Sequence, residues 1–158
     1  MIKKCFIYGE NLFYEKESAK EKIMKVLLDL IDNEDVCIFY NGRISNFDIM
    51  CEECLVELKK THKNLELCYI YPYMFRALAK KMDYVKNIYD KVLEFNIISS
   101  VKRSNTCIDE MYMNFADISN YMITYLDREE SKVHDIINYA EKKNVIIKLL
   151  NYYLDGKV

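Results

Sequence analysis

Glycine and proline are scarce in this chain: its 158 residues include three glycines and one proline. The glycine-rich signatures of several enzyme classes are accordingly missing. There is no phosphate-binding loop, no G-x-G-x-x-G fingerprint of dinucleotide enzymes and no G-x-S-x-G elbow of α/β-hydrolases. No linker, internal repeat or low-complexity stretch is visible either. With 51% hydrophobic and 30% charged residues, the composition is that of a globular protein and not of a disordered one.

Long apolar runs are also lacking. No segment approaches the roughly 20 apolar residues of a membrane-spanning helix, and the apolar run near the first residue is too short for a secretory signal peptide. We therefore expect a cytoplasmic protein with no membrane partner. Acidic and basic residues nearly balance, 25 against 23, for a net charge of −2. Because no broad cationic surface is available to neutralise a phosphate backbone, nucleic acid is not an expected partner.

Six cysteines accompany only two histidines, and no second pair completes a four-ligand zinc site. Cys51 and Cys54 have the spacing of a redox or metal pair, but they fall on the apolar stripe of a predicted helix, which favours core packing. Cys5, Cys37 and Cys68 lie within apolar runs, where a free cysteine behaves as a small hydrophobic residue. We expect unpaired thiols in a reducing compartment, with no metal and no cofactor.

Short apolar runs alternate with longer amphipathic ones along the chain. The apolar runs predict strands at residues 5–8, 36–40, 65–71, 121–126 and 145–150, with a weak short strand at 96–98. Apolar spacings of three and four predict helices at 16–31, 46–60, 74–95, 105–116 and 131–142. This alternation predicts one α/β domain over residues 1–150, a Rossmann-like three-layer fold with a mainly parallel sheet of about five to six strands. Residues 151–158 are expected to form a C-terminal tail.

In an open parallel sheet, ligands bind beyond the carboxyl ends of the strands, where loop amides and helix N-termini collect. Gly9 and Gly42 fall at two such ends, and glycine either admits a ligand to the backbone or simply turns the chain. Arg43 has paired N–H donors suited to a phosphate or carboxylate; its alternative role is an ion pair with Asp48 or Glu52. The predicted ligand-binding residues are Gly9, Asn11, Asn41, Gly42, Arg43, Ser45, Phe47 and Ser131.

Three acidic residues lie close to the same predicted strand ends. Glu10 directly follows the first strand and is the best candidate for a catalytic carboxylate. Asp48 or Asp127 would supply the second carboxylate that cleavage of a glycosidic bond requires. The alternative is that all three are solvated loop side chains with no catalytic role.

Four segments resemble motifs of one bacterial superfamily. Residues 9–13 resemble its glycine turn after the first strand, and residues 39–48 its Phe-Tyr-x-Gly-Gly-x-Gly-x-Phe-Asp strand–turn–helix. Residues 116–125 resemble a Ser-Asp-Tyr-x-Ile-x-Tyr strand, and residues 138–147 a closing Tyr-Ala-x-Lys-Lys-x-Lys-x-Ile-Ile helix–strand. Over almost its whole length the chain thus resembles the SLOG superfamily, in particular YpsA-like and clostridial domains of unknown function, distant relatives of the LOG nucleotide phosphoribohydrolases.

The resemblance implies a Rossmann-like fold that binds a nucleotide or nucleotide-derived small molecule. The chain departs from the family pattern in having Glu10 and Asn11 in place of His-Arg and only Gly42 from the glycine-rich second turn. It also lacks the Pro-Gly-Gly-x-Gly-Thr-x-x-Glu signature of the phosphoribohydrolases. We therefore expect a diverged, non-catalytic or weakly catalytic binder. The alternatives are an N-glycosidic hydrolase or transferase using Glu10 with Asp48 or Asp127, and a homo-oligomeric interaction module with a vestigial cleft.

Overall fold

A computed structural model of the chain describes residues 1–12, 16–96, 104–128 and 131–151. Strands and helices alternate along it in the predicted manner. The strands are β1 (Lys3–Ile7), β2 (Val36–Asn41), β3 (Glu66–Pro72), β4 (Lys91–Phe95), β5 (Tyr121–Thr124) and β6 (Ile146–Leu149). The helices are α1 (Lys16–Asp32), α2 (Asn46–Lys59), α3 (Arg76–Lys80), α4 (Asp83–Ile88), α5 (Ser104–Ile118) and α6 (Lys132–Lys142), with a 3-10 turn, Tyr73–Phe75, before α3.

The six strands of the described residues form one all-parallel sheet in the order β4-β3-β2-β1-β5-β6. This confirms the predicted Rossmann-like α/β fold. From β1 the chain builds outward through β2 and β3 to β4, and it then crosses back to place β5 on the other side of β1. At this point of reversal the loops that follow β1 and β5 lead to opposite faces of the sheet. Such a divergence opens a crevice above the carboxyl ends of the two strands.

Helices cover both faces of the sheet. The core under α1 and α2 receives Cys5 and Ile7 of β1, whereas the core under α5 and α6 receives Phe6 and Tyr8. Successive side chains of a strand point to opposite faces, so a strand covered on both faces needs apolar residues at every position. This explains why the buried strands appear in the sequence as continuous apolar runs.

The predicted helix over residues 74–95 is wrong in its last part, because residues 91–95 form β4. This strand pairs in parallel with β3 from Lys91, opposite Cys68, to Phe95, opposite Pro72. It lies at the edge of the sheet, and Lys91 and Val92 are exposed. A half-exposed edge strand lacks the continuous apolar run that identifies a buried one. Asn96 follows β4 directly, whereas the rest of the weak strand predicted at 96–98 lies outside the described residues.

The first residue of the predicted C-terminal tail is attached to the domain. The side chain of Asn151 accepts a hydrogen bond from the Leu126 N–H at 3.0 Å and donates one to the Leu126 carbonyl at 2.7 Å. The carboxamide thereby holds the loop after β5 as a further strand residue would. Residues 152–158 of the predicted tail lie outside the described residues.

Two buried tyrosines differ in whether their hydroxyl groups are hydrogen-bonded. Tyr112 of α5 is fully buried and stacks on Tyr8, with 3.8 Å between the ring centroids. Its hydroxyl has no hydrogen-bond partner among the described residues. The Tyr89 hydroxyl, also buried, donates to Glu52 Oε1 at 2.6 Å. An unbonded buried hydroxyl opposes folding, whereas a bond to a charged acceptor favours it.

We expect Tyr112→Phe to leave the free energy of unfolding unchanged within about 0.5 kcal/mol, or to raise it, because the substitution removes a hydroxyl without a partner. Tyr89→Phe should lower the same quantity by about 1.5–3 kcal/mol, the usual contribution of a hydrogen bond to a charged group. Urea denaturation of both variants beside the wild type measures the difference. Equal losses in the two variants would contradict the assignment of hydroxyl partners.

Candidate functional site

A cleft of about 640 Å³ opens above the carboxyl ends of β1 and β5, at the point where the strand order reverses. Three chain segments form its walls: the loop after β1, the start of α2, and the loop after β5 with the start of α6. We call it the crossover cleft. The described residues that line it are Tyr8, Gly9, Glu10, Asn11, Ile44, Ser45, Asp127, Arg128, Ser131, Lys132 and Val133.

The predicted site residues divide into two groups. The first group lines the crossover cleft: Gly9, Glu10, Asn11, Ser45, Asp127 and Ser131. The second group lies behind the cleft wall, where its members bond or pack with other parts of the protein: Asn41, Gly42, Arg43, Phe47 and Asp48. The sequence hypothesis places the ligand between the loops after β1 and β2, whereas the cleft is bounded by both of these loops and also by the loop after β5 and the start of α6.

Asp48, in the first turn of α2, joins the loops after β1 and β2. Its side chain is fully buried. The oxygen Oδ1 accepts a hydrogen bond from the Gly9 N–H at 3.1 Å, and Oδ2 accepts from the N–H groups of Ile44 at 3.1 Å and Ser45 at 3.4 Å. The Asp48 N–H in turn donates to Ser45 Oγ, which completes a capping box. The carboxylate therefore fills the position at the start of α2 that an external anion would otherwise take.

Burial and hydrogen bonding act on the Asp48 carboxyl group in opposite directions. Burial raises its pKa to about 7, against the opposing effect of the N–H groups of Ile44, Ser45 and Gly9. The Asp48 side chain is fully buried in the wall of the cleft and is not one of the residues that line the cleft.

Two asparagines fasten the loop after β1 to the start of α2. The Asn46 side chain accepts from the Leu12 N–H at 2.6 Å and donates to the Leu12 carbonyl at 2.8 Å. The Asn46 N–H donates to Asn11 Oδ1 at 3.0 Å. The two loops therefore meet, but their hydrogen-bonding groups are directed at each other and at Asp48.

Arg43 forms an ion pair with Glu52 beneath the surface, which is one of the two roles the sequence left open. Its Nε lies 2.5 Å from Glu52 Oε1, and the two side chains are only 11% and 5% exposed. The same carboxylate oxygen accepts the Tyr89 hydroxyl. The Arg43 backbone is in the left-handed region, with φ 53°, and its N–H donates to Asn41 Oδ1 at 2.9 Å. The guanidinium is therefore part of the support of the β2–α2 turn.

The two glycines make room for aromatic side chains of the protein. A Cβ atom on Gly9 would overlap the ring of Phe47 and lie 2.9 Å from the Tyr125 nitrogen. A Cβ atom on Gly42 would overlap the Tyr112 hydroxyl. Close packing against Tyr112 therefore requires a residue without a Cβ atom at position 42, and close packing against Phe47 requires one at position 9. Gly9 also lines the crossover cleft.

The walls of the crossover cleft differ in chemistry. On the β1 side, Glu10 has one oxygen 3.9 Å from Arg128 Nε and a second, Oε1, that is buried without a hydrogen-bond partner among the described residues. On the α6 side, Ser131 caps the helix by accepting from the His134 N–H at 3.2 Å. Lys132 contacts Asp109 Oδ2 at 3.0 Å and is half exposed. One wall therefore offers an acceptor and the other offers donors and positive charge.

Sequence reasoning missed several residues of the cleft. Arg128 and Lys132 were passed over, although each adjoins a predicted site residue, Asp127 or Ser131. Arg128 follows a strand, and Lys132 is the first residue of a helix. These positions indicate a place in the cleft only when β5 is known to lie beside β1 in the sheet.

The described residues contain no group of three or more histidine, cysteine, aspartate or glutamate side chains arranged to hold a metal ion. All six cysteines are free thiols. Cys51 and Cys54 are buried in the core beneath α2, as their place on its apolar stripe predicts. Burial raises the pKa of the Cys51 thiol, which disfavours the reactive thiolate.

In the part of the chain that the structure describes, no helix has the length and apolar character needed to cross a membrane.

The fold and the cleft together define an α/β protein with a parallel sheet and a small-molecule-sized cleft at its point of strand reversal. The chain matches no protein-family model, and no curated protein matches it significantly.

The raised pKa of Asp48 predicts that this group's contribution to stability is lost as the pH rises from about 4 to about 7. In the unfolded chain an aspartate releases its proton near pH 4, whereas folded Asp48 retains it up to about pH 7. Between these values the folded state binds the additional proton, so the free energy of unfolding falls as the pH rises. Asp48→Asn carries no titrating group and should show a smaller fall between pH 4.5 and 8.

Urea denaturation at the two pH values measures this difference, and Asp83→Asn, at an exposed residue in the first turn of α4, is the matched control. We expect the control to retain the wild-type dependence. The carboxyl ¹³C shift of Asp48 in the wild-type protein gives the same information without substitution. A titration of that signal near pH 4 would contradict the prediction.

Proposed function

We propose that the protein binds a nucleotide or nucleotide-derived small molecule in the crossover cleft, with the phosphate group at the start of α6. The observation that carries this proposal is a contrast between two helix N-termini at the cleft. At the start of α2, the Asp48 side chain accepts hydrogen bonds from the N–H groups of Ile44 and Ser45. At the start of α6, no carboxylate of the described residues accepts a hydrogen bond from the first-turn amides. An external anion is therefore favoured at α6.

Charge at the α6 wall supports an anion of more than one negative charge. The N-terminus of a helix carries the equivalent of roughly half a positive charge. Lys132 and Arg128 add two cationic side chains that are at least half exposed, with Asp109 and Glu10 as their partners in the unliganded protein. A phosphate monoester carries about −1.5 to −2 at neutral pH and suits this wall better than a single carboxylate does.

The rest of the cleft suits the remainder of a mononucleotide. Its volume of about 640 Å³ is typical of small-molecule sites. Ile44, a large apolar side chain that is 45% exposed, lines the cleft together with Tyr8 and Val133, which are almost fully buried. Ile44 therefore offers an apolar surface against which a base can pack.

The SLOG resemblance is consistent with this proposal, since the glycine turn that resembles the family, residues 9–13, begins in the cleft wall. We accordingly propose that the chain is a diverged member of that superfamily. A cytoplasmic location also belongs to the proposal and is supported by the six free thiols. A homo-oligomeric state stays a prediction from the sequence.

A second candidate function is cleavage of an N-glycosidic bond, favoured by the presence of both Glu10 and Asp127 in the cleft. Asp48 would take no part in this reaction, because its two oxygens are held by backbone amides. Incubation with nucleoside monophosphates followed by chromatography would detect released base. Glu10→Gln should then abolish the release.

We expect at least one of AMP, GMP, CMP, UMP, ADP-ribose and cyclic AMP to raise the melting temperature. Lys132→Gln should weaken the binding of that compound about tenfold, as the loss of a charge-assisted hydrogen bond does. Lys142→Gln, the same change in the last turn of α6, is the matched control and should bind as the wild type does. Isothermal titration calorimetry gives the dissociation constants.

Two results would overturn the proposal. One is that no compound of the panel raises the melting temperature. The other is that Lys132→Gln and Lys142→Gln bind the compound equally well.

A further inference from the structure

Glu10 is the feature of the crossover cleft that anion binding does not explain. Its side chain is only 13% exposed, although it lines the cleft. Oε2 lies 3.9 Å from Arg128 Nε, and Oε1 is buried with no hydrogen-bond partner in the described part of the chain. A buried carboxylate oxygen without a donor is unfavourable in an unliganded protein. A ligand that supplies the donor removes this penalty on binding.

The backbone holds the Glu10 side chain in place. The Glu10 N–H donates to the Tyr125 carbonyl at 2.9 Å, and the Tyr8 N–H donates to the Ile123 carbonyl at 3.2 Å. These bonds continue the pairing of β1 with β5 past the end of β1. Glu10 therefore belongs to an extension of the sheet, and its carboxylate is positioned before any ligand arrives.

The donor that meets Glu10 is expected to be uncharged. Arg128 already supplies a positive charge 3.9 Å from the carboxylate, so the second oxygen lacks a hydrogen-bond donor and not a counter-charge. A hydroxyl group donates without adding charge. In a nucleotide bound with its phosphate at α6, the groups next to the phosphate that can donate are the hydroxyls of the sugar.

The geometry points to Glu10 as the acceptor for the ribose hydroxyls of the ligand, so that the protein distinguishes ribonucleotides from 2′-deoxyribonucleotides. A carboxylate has two acceptor oxygens, and the cis 2′- and 3′-hydroxyls of ribose present two adjacent donors. Loss of the 2′-hydroxyl would leave a buried acceptor unpaired, which is the kind of change that binding sites reject strongly. This inference rests on the proposed function, since it takes the phosphate position from it.

The test compares AMP, GMP, CMP and UMP with their 2′-deoxy counterparts by isothermal titration calorimetry. We expect the wild-type protein to bind the ribonucleotide form at least about tenfold more tightly. Glu10→Gln should reduce this ratio to about twofold, and Glu10→Ala should bring it close to one. Glu57→Gln, the same change at an exposed residue near the other end of α2, should keep the wild-type ratio.

The outcomes separate this inference from the function on which it depends. Equal binding of ribo- and deoxyribonucleotides by the wild type, with both still weakened by Lys132→Gln, would overturn the role of Glu10 and leave the phosphate site intact. An unchanged ratio in both Glu10 variants would do the same. If none of the eight nucleotides binds, the role of Glu10 is overturned, and the proposed function fails as well unless ADP-ribose or cyclic AMP binds.

Discussion

The arrangement of the site depends on one buried carboxylate. Asp48 accepts hydrogen bonds from three backbone amides that belong to two different loops, those of Gly9, Ile44 and Ser45. In a Rossmann-like sheet these loops normally present amides to a ligand, and glycines keep the space between them open. Here the Asp48 carboxyl group accepts hydrogen bonds from the amides, and aromatic side chains fill the space beside the two glycines. The loops after β1 and β2 are thereby joined into a single wall.

This internal closure is the basis of the proposed ligand position. Asp48 occupies the start of α2, whereas at the start of α6 no carboxylate of the described residues accepts a hydrogen bond from the first-turn amides. Arg43 also bonds within the protein: its guanidinium pairs with the buried Glu52 carboxylate and holds the turn before α2. Side chains of the protein therefore fill the space behind the loops after β1 and β2, and the open cleft lies above the carboxyl ends of β1 and β5.

Much of the fold was predictable because strands buried on both faces leave an unmistakable run of apolar residues, as in Val36–Asn41. The sequence pattern did not identify β4 as a strand, because an edge strand is apolar only in part. The sequence also placed Glu10, Asp127 and Ser131 at strand ends, and these share a cleft. It left the role of Arg43 open between anion binding and an ion pair with Asp48 or Glu52, since that choice depends on packing between elements. It could not show that Asp48 is buried, because an acidic residue in a first helical turn is usually solvated.

The carboxamide of Asn151, two residues after β6, holds the start of the loop that follows β5. By bonding both backbone groups of Leu126, it fixes the residue immediately before Asp127 and Arg128, which form the third wall. This part of the cleft is therefore held by Asn151, which lies 25 positions after Leu126 in the chain. Replacing this asparagine by alanine would release the loop after β5 and leave in place the core residues that pack against the sheet, Leu150 among them.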